Sequence, residues 1–192
     1  NWSHAFSSRT NLGLNGSARY FTSDDSDRDD TIALTMTGDV SRRHTERHRT
    51  RLRAGVTATD VDDDLNLSFT GGARLNYSLA SANYGLSLDQ DIRQDDDGDI
   101  DNVLRLRATA TYRLTSTASL QLASNASAAT DLTSGLSEDP TLRIGVSAAY
   151  SKTLSERWRL RIGAGLQGIR EDDEDDFRGD AQLFLRISRA FD

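Results

Sequence analysis

Apolar and polar residues alternate along this chain with a period of two. Between 11 and 21, Leu12, Leu14, Gly16, Ala18 and Tyr20 share one face, and Asn11, Asn15, Ser17 and Arg19 share the other. The alternation returns over 31–41, 50–59, 66–79, 84–93, 103–114, 118–127, 141–151, 157–169 and 178–191. Successive Cβ atoms of a strand point to opposite faces, so each segment predicts a strand with one apolar and one polar face. The weakest is 118–127, carried by Ala118, Leu120, Leu122 and Ala126. Pro140 is the single proline, and it falls between predicted strands, where no ladder donor is lost.

The connections alternate in kind. One set is short or basic: 42–49, 80–83, 115–117 and 152–156. The other is longer and acidic: 24–30, 60–64, 95–101, 128–140 and 171–176. In a meander every second connection lies at the same end, so the acidic set forms one rim. Most predicted strands approach the length of roughly 9–11 residues that crosses a bilayer at a tilt. No run approaches the roughly 18 apolar residues of a membrane-spanning helix. The mean hydropathy of −0.59 is compatible with a barrel, where only alternate strand residues face lipid. Tyr77, Tyr84, Tyr112, Tyr150 and Trp158 fall on the apolar face beside the short turns, as an interfacial girdle would. The expected fold is all-β: a transmembrane, antiparallel, up-and-down β-barrel of about ten strands over 11–192. A soluble β-sandwich also alternates, but its solvated face would carry Lys and Glu more freely than this Arg-, Thr-, Ser- and Asn-rich one.

The final segment, Gly179 to Phe191, has alternating apolar residues and ends on an aromatic. It resembles the C-terminal insertion signal of bacterial outer-membrane β-barrel proteins, the porin-like class, although Asp192 follows Phe191 and Arg189 takes an outward position. That resemblance implies residence in the outer membrane, contact with its lipid and lipopolysaccharide, and insertion by the barrel-assembly machinery. With short turns periplasmic and acidic loops extracellular, both termini are periplasmic. Asn1 to His4 has no basic region or apolar core of a signal peptide, and an exported protein would have lost that segment before this numbering begins. Residues 1–10 read either as a periplasmic lead-in or as the end of a preceding strand, because Ser3 to Phe6 is followed by the turn-like Ser7-Ser8-Arg9-Thr10. In the second case the chain is the C-terminal part of a larger barrel.

The polar face is rich in arginine. Arg51, Arg53, Arg74, Arg105, Arg107, Arg143, Arg159 and Arg161 are the candidate lumen residues, with Arg19, Arg93, Arg113, Arg178 and Arg186 on the same face. Rings of Arg favour anions in a pore. The plainer reading is a lumen filled by bonds from these guanidinia to Asp39, Asp89, Asp91, Asp180 and threonines. The expected function is a passive channel or export pore for small or polymeric anions. The alternative is a non-conducting structural barrel whose acidic loops bind divalent cations or a partner.

Asp95, Asp97, Asp99 and Asp101 alternate around Gly98 and partly resemble a calcium loop, since hard cations want several carboxylate oxygens. With Gly98 as the sixth position, Arg93 and Leu104 occupy the first and twelfth, so an EF-hand is rejected. Calcium at the acidic loops stays open, and no other cofactor is expected. The three histidines, His4, His44 and His48, fall at the end opposite the acidic rim, so no enzyme is expected. His44 and His48, with Arg42, Arg43, Arg47 and Arg49, make a basic turn for a periplasmic partner or for solvent. A surface protein partner is a second option, and no nucleic-acid partner is expected at a net charge of −7.

Overall fold

The computed structural model describes residues 1–21, 31–61, 64–94, 100–131, 140–171 and 177–189. Among the described residues eleven strands pair in chain order into one antiparallel sheet. They are β1 (Trp2–Ser7), β2 (Thr10–Phe21), β3 (Thr31–Arg43), β4 (His48–Val61), β5 (Asp64–Ser78), β6 (Ala82–Gln94), β7 (Ile100–Arg113), β8 (Ala118–Asp131), β9 (Thr141–Thr153), β10 (Trp158–Arg170) and β11 (Arg178–Arg189). The alternation anticipates β2–β11, most of them lengthened by a few residues. The count differs from ten because Trp2–Ser7 adds β1, whose Trp2 and His4 sit opposite Leu14 and Leu12. Too short to show a period, this segment is strand because β2 offers it a ladder.

Each predicted face survives in the register. Leu12, Val40, Leu52, Ala73, Leu88, Leu106, Ala126 and Ile144 are successive cross-strand neighbours from β2 to β9. On this face many large side chains are bare, Leu34, Met36, Leu52 and Val56 each more than half exposed, whereas Ile92 near the far end of β6 is buried. A sheet this apolar on its outer side has the pattern of the lipid-facing side of a transmembrane barrel. Tyr77 and Tyr84 are register partners 6.4 Å apart, and Tyr112 lies edge-on to Tyr84 at 5.7 Å. They form the belt expected beside the short turns.

Three of those turns share one closure. His44, Leu114 and Leu154 donate their backbone N–H to the carbonyls of His48, Ala118 and Trp158, at 2.9 Å each. The next residue is Thr45, Thr115 or Ser155, and the Thr45 and Thr115 hydroxyls accept backbone N–H groups from within their turns. A hydroxyl at the turn start fixes the turn through these local bonds.

The sheet is open among the described residues. β1 pairs with β2 and β11 with β10, and the two edge strands are not paired with each other. Every residue of both strands is exposed.

Candidate polar-face site

The polar face is organised in cross-strand rows. One runs Gly13, Asp39, Arg53, Gly72, Asp89, Arg105, Ser127, Arg143. The next runs Asn11, Ser41, Arg51, Arg74, Ser87, Arg107, Asn125, Gly145. Six of the eight candidate lumen arginines therefore lie in two adjacent rows. Arg161 and Arg159 lie in separate rows, with Arg113 and Thr153 respectively, nearer the short turns.

Over β2–β6 the arginines meet carboxylates. Arg51 lies 3.4 Å from Asp39, whose Oδ1 also accepts from Asn15 Nδ2 at 3.2 Å. Arg53 and Arg74 both reach Asp89, each at 4.0 Å. These pairs are partly exposed, so each contributes little to stability, about 0–1 kcal/mol, but together they cancel charge on the face. Glycine makes the placement fit. The Asp39 carboxylate lies over Gly13 and that of Asp89 over Gly72; a Cβ at Gly72 would stand 2.7 Å from Asp89 Oδ1 and 2.8 Å from the Leu88 carbonyl.

The same strands curl. Arg19 of β2 donates to the Ile92 carbonyl of β6 at 3.2 Å and lies 3.6 Å from Asp91. On the polar face of the same strands Ala33, Thr37, Thr57, Thr59 and Thr70 are buried, and the Thr35 and Thr57 hydroxyls share a 2.9 Å hydrogen bond. Small side chains on the concave side let β2 approach β6, and the arc closes over them.

Over β7–β11 the arrangement changes. Among the described residues the side chains of Arg107, Arg113, Arg143, Arg159 and Arg186 form no hydrogen bond or ion pair, and all five residues are exposed. Asp180 is the lone carboxylate in β9–β11. Arg105 has Asp89 as its register neighbour. Arg161 is held by neutral groups: it donates to Gln121 Oε1 at 3.2 Å and its guanidinium stacks 5.7 Å from the centre of the Phe184 ring.

Phe184 and Gln121 escape a search for charged residues. Phe184 is an apolar residue on the polar face, opposite Gly163, whose missing side chain makes room for the ring. That pair of exceptions to the alternation is the signal in the sequence. Asp101 falls in β7, with Arg93 and Asp131 as register neighbours, while Asp95, Asp97 and Asp99 lie outside the described residues. His44 and His48 stack at 4.6 Å beside the β3–β4 turn.

No protein-family model matches the chain, and no curated protein does. Among solved structures it is similar to the outer membrane channel DcaP of Acinetobacter baumannii, with a TM-score of 0.69 at 10% identity. The match covers 97% of this chain and 59% of that one, so the chain spans about three-fifths of that channel's length. The meander of strands, the bare apolar face, the belt of tyrosines and this likeness agree on one architecture, the antiparallel up-and-down sheet of a transmembrane β-barrel.

Proposed function

We propose that this protein is a passive channel of the outer membrane, and not an enzyme, with a polar face that favours small anions. The observation that carries this reading is that Arg107 and Arg143, in adjacent rows of β7 and β9, have no carboxylate partner among the described residues. Fixed positive charge without a neutralising carboxylate raises the local concentration of anions and lowers that of cations. The likeness to an outer-membrane channel supports a pore, while the sign of the selectivity rests on these arginines. The bare edges of β1 and β11 are free to pair with further strands, so the width of the pore is not limited to what eleven strands enclose.

Reconstitution in a planar bilayer under a potassium chloride gradient tests the reading. The reversal potential is expected on the chloride side. The double variant Arg107→Gln/Arg143→Gln is expected to lower the anion-to-cation permeability ratio about threefold. Cation selectivity, or insertion without conductance, contradicts it.

A further inference from the structure

We propose that the short-turn end of the polar face, across β7–β10, is a binding site for a phosphate-type oxyanion, either free phosphate or the phosphate group of a small solute. The inference rests on the anion reading of this face and names a ligand class for one part of it. The site is a cavity of about 420 Å³ lined by Arg113, Arg159, Arg161, Ser119, Ser151 and Thr153, with the β7–β8 turn beside it. Arg113, Ser119, Ser151 and Arg161 are consecutive members of one cross-strand row. At the usual strand spacing that row is about 14 Å long, with two hydroxyls between two guanidinia. Thr153 and Arg159 are register partners in the next row. Arg113 lies six residues beyond Arg107 on β7, about 20 Å along the strand. This cluster is therefore separate from the mid-strand arginines.

Three features fit an oxyanion. First, Arg113 and Arg159 carry no counter-charge among the described residues. Second, the Nε of Arg161 is buried and donates to nothing, an uncommon state for a guanidinium nitrogen. An anion oxygen in the cavity would satisfy it. Third, Arg161 is braced: Gln121 takes one Nη, and Phe184, seated over Gly163, supports the plane. A braced fork loses less side-chain entropy on binding.

The donors also argue for phosphate over carboxylate. Three guanidinium groups and several hydroxyls line this one cavity, whereas a carboxylate has two oxygens to receive them. A phosphate group offers three or more strong acceptor oxygens and a charge of about −1.5 to −2 at neutral pH.

Isothermal titration of the full chain, folded in detergent, with inorganic phosphate, glycerol phosphate and acetate tests the site. Saturable phosphate binding is expected, with acetate at least about tenfold weaker. Arg161→Gln and Arg113→Gln are each expected to weaken phosphate at least about tenfold. Arg161→Lys keeps the charge but loses the fork, and it too is expected to weaken binding. Arg9→Gln, a charge loss in the β1–β2 turn, leaves binding unchanged. Heat-modifiable gel migration verifies that each variant is folded. Equal binding of glycerol phosphate identifies a phosphorylated solute as the occupant, and binding of inorganic phosphate alone identifies the free ion.

Absence of saturable binding, or equal loss in Arg9→Gln and Arg161→Gln, overturns the site. The bilayer measurement separates the two readings. Anion selectivity with phosphate binding unaffected by the variants removes the site and leaves the channel. Phosphate binding lost in the variants, in a protein without anion selectivity, keeps the site and removes the channel.

Discussion

The two halves of the sheet treat the same residue type in opposite ways. In the arc β2–β6, Arg19, Arg51, Arg53 and Arg74 each have a carboxylate within 4.0 Å, and threonines of the same face are buried. In β7–β11 the mid-strand Arg107 and Arg143 have none among the described residues, and both are exposed. Arginine content alone would assign both halves the same charge. The difference lies in Asp39, Asp89 and Asp91 and in the glycines that seat two of them. One arc neutralises its guanidinia within the sheet, and the other leaves bare the charge on which the proposed anion preference rests.

The largest test of this contrast compares two inward glycines. Gly72→Ala puts a Cβ against Asp89 and the Leu88 carbonyl, whereas Gly165→Ala meets its nearest atom at an ordinary 3.6 Å. Urea unfolding from lipid vesicles is expected to show a loss of about 1–3 kcal/mol for Gly72→Ala. Gly165→Ala is expected to stay within about 0.5 kcal/mol of the parent. Equal costs would mean that the two arcs are packed alike.

A smaller effect is expected at the link across the first arc. Arg19→Ala removes a charged hydrogen bond to the Ile92 carbonyl and the Asp91 pair, and is expected to cost about 1–2 kcal/mol in the same unfolding measurement. Faster hydrogen exchange at Thr57 and Thr70 should accompany it, because these residues are buried on the face that the link spans. Unchanged exchange there would show that the arc holds its curvature without Arg19.

The smallest effect is electrostatic. Asp89→Asn frees Arg53 and Arg74 from their shared carboxylate. It makes the first arc more like the second, and the anion-to-cation permeability ratio is expected to rise about twofold in a planar bilayer. A fall in that ratio would mean that the carboxylate does not offset these arginines in the pore.

Much of this was legible in the residues. The period of two identified the strands from β2 to β11 and assigned Arg51, Arg107 and Arg161 to one face, because a strand's alternation leaves no third option. The short turns aligned the tyrosines at one level. Less legible was Trp2–Ser7, whose strand character depends on β2, and Phe184, which reads as one more apolar residue until Gly163 is placed opposite it.

The sequence by itself determined that this chain is a two-faced antiparallel meander, apolar on one side and arginine-rich on the other. That information is local: it needs only the direction of each side chain relative to its neighbours in the chain. Only the tertiary structure decided which arginines are neutralised. The Arg19–Asp91 contact joins residues 72 positions apart and depends on how sharply the strands between them curl. Register and curvature set that distance, and neither is encoded in the alternation of a single strand.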